Sequence, residues 1–238
     1  MYKFAALLFL IIPFTSFTQE ITGPELLKKT IDYHDPQGNW PYLWAELELA
    51  QTRPNGGGRA SQVTFKNDMG FFQIIDNTDD GHTIVKSVYV DSCDVTFDGS
   101  REFSAEFEEK YRLSDDRVRR TRNYYLYLYG LPMKLTDPGT NVIEEVKTVE
   151  FNGKEYFELQ VTYDQTVGSD DWFFYIDPKT YAMEGYRFHQ ADGDGEYILL
   201  KDIVTIEKIK IPKMREWYIT SDSTFLGADN VAGFKILH

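Results

Sequence analysis

Between residues 141 and 163, two runs of alternating side chains flank the dipeptide Asn152-Gly153. In the second run Phe157, Leu159, Val161 and Tyr163 share one phase, and Tyr156, Glu158, Gln160 and Thr162 share the other. A period of two sends successive side chains to opposite faces of a strand. Asn-Gly readily adopts the left-handed dihedrals of a two-residue hairpin turn, so 141–151 and 154–163 are expected to be antiparallel neighbours. The same grammar recurs on both sides. Over 42–49, Leu43, Ala45, Leu47 and Leu49 alternate with Tyr42, Trp44, Glu46 and Glu48, and the turn Pro54-Asn55-Gly56-Gly57-Gly58 follows. Strand-like runs at 61–66, 70–76, 82–90 and 93–97 are bounded by Gly, Asn or Asp. Further on, 171–177 and 181–189 are joined through Asp177-Pro178-Lys179-Thr180, and a third strand is expected over 196–210, with Ile203, Ile209 and Ile211 in phase. The αβαβ order of a parallel sheet is missing, which disfavours nucleotide-binding and TIM-barrel architectures.

Two helices interrupt the strands. The first opens at Thr22 or Gly23, with Pro24 in its first turn, Glu25 at its positive end and Leu27, Ile31 and His34 on one stripe; it ends at Asp35, before Pro36 and Gly38. The second runs from Ser114 as N-cap, with Asp115 and Asp116 in its first turn, to Gly130, with Pro132 beyond. Arg117, Arg119, Arg120 and Arg122 crowd its first half, and Tyr124, Tyr125, Leu126, Tyr127, Leu128 and Tyr129 fill its second. An end that is apolar nearly all round is expected to be buried or to line a cavity.

Residues 1–18 read as an export leader. Lys3 precedes an apolar run from Phe4 to Phe14, then small residues at Ser16 and Thr18, with a mature chain starting at Gln19. That run is too short to span a bilayer. No cysteine follows it, so an exported periplasmic or secreted product is expected rather than a lipoprotein, with no transmembrane segment after cleavage. No linker or fixed-period repeat divides 19–238, which reads as a single domain. The formal charge of −13 argues against nucleic acid and anionic membrane surfaces as partners. With 16 Tyr, 17 Phe and 4 Trp the chain is rich in side chains that suit strands and apolar pockets. Cys93 is the only cysteine, so no internal disulfide forms, and it reads as a small buried hydrophobe rather than a catalytic thiol.

Zinc-protease, paired-cysteine, nucleophile-elbow and phosphate-loop motifs are absent. His34, Asp35 and His189 would form a metal or acid–base site if they converged; otherwise His34 is a helix-terminal histidine favoured by the dipole. Asp192, Asp194 and Glu196 alternate as calcium ligands would, or simply form an acidic turn. Asp170 and Asp171 with Glu184 would suit a glycosidase pair, or are solvated loop carboxylates. Lys134 reads as a snorkelling surface lysine rather than a Schiff-base residue. The arginine cluster either pairs with Asp115, Asp116, Glu106, Glu108 and Glu109 or receives an anionic headgroup. None of these patterns calls for a metal or cofactor.

The expected fold is α+β, mainly β: a large curled antiparallel sheet, an unclosed half-barrel, with an N-terminal helix and a central helix covering its concave face. Its element order, its leader and the hairpin Trp172-Phe173-Phe174-Tyr175-Ile176-Asp177-Pro178-Lys179-Thr180 resemble the bacterial lipoprotein-carrier (LolA/LolB-like) families. The segments 124–139 and 170–177 also resemble a bacterial exported family of unknown function. The carrier resemblance implies an apolar cavity that takes up a lipid or another amphiphilic small molecule without catalysis. Candidate lining residues are Trp44, Phe72, Tyr125, Leu128 and Tyr129, together with Met133, Trp172, Phe174, Tyr186 and Phe188; Arg120 is the candidate for a headgroup. The alternatives are a secreted hydrolase of a glycan or ester, and an envelope module that pairs a protein partner with an exposed sheet edge.

Overall fold

The computed structural model describes residues 20–168, 170–189 and 195–238. The leader therefore lies outside the described residues, as do Asp192 and Asp194. Five strands come first: β1 (Trp44–Thr52), β2 (Gly58–Lys66), β3 (Phe71–Asn77), β4 (Thr83–Tyr89) and β5 (Ser92–Phe97). Seven more follow the helices: β6 (Thr140–Phe151), β7 (Lys154–Tyr163), β8 (Asp171–Ile176), β9 (Met183–His189), β10 (Glu196–Ile206), β11 (Ile209–Ile219) and β12 (Phe225–Ile236). All belong to one unclosed antiparallel sheet, ordered β5-β4-β3-β2-β1-β12-β11-β10-β9-β8-β7-β6.

This order explains the central helices. Each half of the sheet is a meander, and the halves join where β1 pairs with β12. The chain leaves the first half at one edge, β5, and restarts at the opposite edge, β6, so the connection must cross the whole sheet. It does so as α2 (Ala105–Tyr111) and α3 (Asp115–Gly130), which cover the concave face. The leading helix α1 (Gly23–His34) packs on β6, β7 and β11. Its start is a capping box, in which Thr22 and Glu25 satisfy each other's backbone N–H groups.

The hairpin reading holds in detail: Asn152 and Gly153 have φ of 48° and 77°, and Phe151 pairs with Lys154. Two expectations fail. The run 196–210 is two strands, because Glu207 and Lys208 turn the chain at φ of 46° and 67° with no Gly or Asn to mark it. Ile203 is accordingly 42% exposed, while Ile209 and Ile211 are buried. The short helix α2, capped by Ser104, was not expected; it closes a small second core of Ile84, Phe97 and Leu113, with Phe107 stacked on Phe97.

Alternation fixes what the concave face presents. Ala45, Leu47 and Leu49 of β1, Val63 and Phe65 of β2, Phe72 and Ile74 of β3, and Val88 of β4 point into the main core under α3. Trp44 falls in the opposite phase, on the far face of the sheet, where its indole N–H donates to Asp68 at 2.5 Å and Lys66 lies over its ring.

Candidate functional site: a cationic cleft beside the central helix

The apolar phase of the sheet does not continue to its end. Where the β1–β2 and β3–β4 turns meet, the inward positions become polar: Arg59 and Ser61 on β2, Asp76 on β3 and Lys86 on β4. These side chains form the floor of a cleft of about 800 Å³. Its roof is a stripe of α3, Arg117, Arg120, Thr121, Tyr124 and Tyr125, whose three- and four-residue spacing puts them on one helix face. Lys110, Tyr111 and Arg112 at the end of α2 close one side, and Arg53, Thr78, Asp79 and Asp80 close the turn side.

Seven basic residues thus meet three acidic ones in a chain whose net charge is −13. The acids are already engaged. Asp76 accepts from the Ser61 hydroxyl at 2.5 Å and lies 3.5 Å from the Arg59 guanidinium. Asp79 pairs with Arg53. Asp80 accepts from Thr78, Tyr111 and Lys110, which holds its carboxyl well below the usual carboxylate range. Arg59 also donates to the Tyr125 hydroxyl at 3.1 Å, and its buried Nε, the atom that faces Asp76, makes no hydrogen bond. Lys86 is 7% exposed and donates to the Tyr111 carbonyl at 3.0 Å. Burial lowers the pKa of its ammonium, with Arg59 and Arg112 adding to the fall and Asp76 opposing it.

The four clustered arginines divide. Arg117 and Arg120 face the cleft, Arg120 also pairing with Asp116 at 2.8 Å. Arg119 and Arg122 turn the other way and donate to the carbonyls of Asp91 and Val90 in the β4–β5 turn, Arg119 pairing in addition with Asp115. A second cavity of about 560 Å³ adjoins the cleft and shares Arg53 and Tyr124 with it; Pro54, Trp217, Leu226 and Ala228 supply an apolar wall, and Gln51, Thr52, Asn55 and Glu196 supply polar groups.

The aromatic candidates separate into two stacks beneath α3. Phe72, Tyr125 and Tyr129 pack together with Phe65, Tyr125 and Tyr129 being nearly parallel at 7°. Trp172, Phe174, Tyr186 and Phe188 form the other. Leu128 and Met133 are buried in the same core. Of these residues Tyr125 borders the cationic cleft, and Trp172 borders a separate cavity of about 510 Å³ with Tyr127, Tyr163 and Val167.

His34, Asp35 and His189 do not converge. His34 Nδ1 donates to the Lys210 carbonyl at 2.7 Å and its Nε2 accepts from the Met183 N–H at 3.0 Å, which leaves no lone pair for a metal. Met183 begins β9, whereas His189 ends it, beside Arg187. Asp35 caps the turn that follows α1, accepting from the N–H groups of Asn39 and Trp40. Glu184 is held by Lys154 and Tyr156. Lys134 pairs with Asp137. Cys93 is half-buried on edge strand β5, with Sγ 3.6 Å from the Asp115 carbonyl, and burial raises its thiol pKa. Among the described residues no group of three His, Cys, Asp or Glu side chains is placed to hold a metal, and no helix is long and apolar enough to cross a membrane.

Arg59, Asp76 and Lys86 were not singled out from the sequence, although a signal was present. In Phe72-x-Ile74-x-Asp76 and Ile84-x-Lys86-x-Val88 a charge occupies the apolar phase of a strand.

The chain belongs to the DUF6503 family, a family of unknown function whose model matches residues 3–232. No curated protein matches the sequence. The fold is similar to that of a LolA superfamily protein from Nitrosomonas europaea, 10% identical, with 92% of this chain and 95% of that one covered at a TM-score of 0.56. It is also similar to a DUF1329 family protein from Desulfovibrio piger, 9% identical, with 91% of this chain and 94% of that one covered at a TM-score of 0.51. At such identities the likeness establishes a shared LolA-like architecture.

Proposed function

We propose that this is an exported, non-enzymatic binding protein that holds a lipid or similar amphiphile between its sheet and its central helix. The carrying observation is the junction at Arg53 and Tyr124 of two unlike cavities, one of about 800 Å³ floored by charge and one of about 560 Å³ walled by Trp217, Leu226 and Ala228. A molecule with a polar head and an apolar body fits such a pair, and each volume lies in the range of ligand sites, roughly 300–1,000 Å³. The leader at 1–18 supports export, and the LolA superfamily architecture supports a carrier-type role. The rings of each aromatic stack beneath α3 pack together in the core, which supports a ligand seated in the cleft and its adjoining cavity.

The test is native mass spectrometry of the protein purified from the bacterial envelope, followed by denaturing extraction. A stoichiometric amphiphile is the expected result. An empty protein that also fails to displace a fluorescent fatty acid overturns the reading.

A further inference from the structure

The charges in the cleft are not balanced by the protein itself. Among the described residues Lys86, Arg112 and Arg117 have no carboxylate partner, although all three face the same space. Arg59 lies on the same floor, where Asp76 faces its Nε at 3.5 Å and that buried N–H makes no hydrogen bond. Arg112 is also held in an unusual backbone conformation. It ends α2 at φ 54°, a left-handed position where Gly or Asn is the ordinary choice. A guanidinium, a buried inward-facing ammonium and an arginine from the facing helix are thus aimed at one volume from α2, β4 and α3. The two arginines are solvated, whereas Lys86 is buried, and an anion in the cleft would offset the cost of burying its charge.

We propose that the cleft is a receptor for a phosphate-type oxyanion, the headgroup of the bound amphiphile; this rests on the binding-protein reading above. A carboxylate offers two coplanar oxygens and a single charge. A phosphoryl group offers oxygens in several directions with up to two charges, which suits cations arriving from three separate elements. Free phosphate shares this chemistry and is the second possible source.

The test expresses the full chain with its leader, purifies the exported protein and measures binding of four probes by calorimetry: dioctanoyl phosphatidate, dioctanoylglycerol, octanoate and inorganic phosphate. Phosphatidate is expected to bind at least about tenfold more tightly than dioctanoylglycerol, the scale of one lost charge-assisted hydrogen bond. That advantage should shrink with added salt and vanish in an Arg112→Gln, Arg117→Gln double variant. Both side chains are exposed, so an unchanged thermal melt verifies that the variant is folded. Equal binding of the two lipids, or octanoate matching phosphatidate, overturns the phosphate assignment and leaves the amphiphile reading standing. Tight binding of inorganic phosphate with no preference for the lipid supports the oxyanion site and overturns the amphiphile reading. Failure of every probe overturns both.

Discussion

His34, at the end of α1, accepts a hydrogen bond on Nε2 from the backbone N–H of Met183 at 3.0 Å, joining the first helix to the start of β9. The ring is fully buried, and its other nitrogen donates to the Lys210 carbonyl. The imidazole must therefore stay neutral, and burial brings its pKa down from 6.5 to about 4. Between those values the unfolded chain binds a proton that the folded chain does not, so stability is complete above pH 6.5 and falls as pH drops towards 4. The full effect is about 3 kcal/mol at 1.36 kcal/mol per unit. Urea unfolding from pH 7.5 to 4 should show this loss, and a His34→Gln variant, less stable at pH 7.5, should show a flatter profile across that window. Parallel profiles would exclude His34 as the cause.

Asp35 does structural work next door. Its carboxylate accepts from the N–H groups of Asn39 and Trp40, each at 2.8 Å, which fixes the turn at Trp40–Tyr42. Asp35→Ala should cost about 1–2 kcal/mol, as loss of a cap does, and leave ligand retention unchanged. Reduced ligand occupancy in a fully folded variant would contradict that assignment.

Lys86 is a buried charge in the floor of the cleft. It occupies an inward strand position, 7% exposed, and burial disfavours its protonated form, with Asp76 opposing that effect and Arg59 and Arg112 adding to it. Lys86→Met leaves an unbranched side chain one atom shorter and removes the buried charge, so the folded protein should be unchanged or more stable by up to about 1 kcal/mol. The same change should weaken binding of an anionic amphiphile. A clear fall in melting temperature would mean that the ammonium is needed for packing.

The sheet was more legible in the sequence than the site. Asn152-Gly153 and the alternation through Leu159 and Val161 specify pairing locally, because turn dihedrals and strand phase act over a few residues. The turn at Glu207-Lys208 was hidden because neither residue is an ordinary bearer of positive φ. The cleft is a property of register: Arg59, Asp76 and Lys86 come from three strands and meet only when β2, β3 and β4 pair as they do. Their own strands announced them as charges out of phase, while the conspicuous arginine run of α3 sends only Arg117 and Arg120 to the cleft.

Gly130 reads in the sequence as the stop of α3, and a helical Gly→Ala change ordinarily stabilises by up to about 1 kcal/mol. Here the opposite sign is expected. A Cβ at Gly130 would lie 2.6 Å from Trp40 Cζ2 and 2.5 Å from Lys134 Cγ. The lysine chain can swing aside, but the tryptophan cannot, since its backbone N–H is tied to Asp35 and its ring is buried against Phe65. Overpacking of this kind costs about 1–3 kcal/mol. Gly130→Ala should therefore lower stability in urea unfolding, and combining it with Asp35→Ala should cost less than the two changes separately, because releasing Trp40 relieves the clash. Strict additivity would show that Asp35 does not hold Trp40 in place.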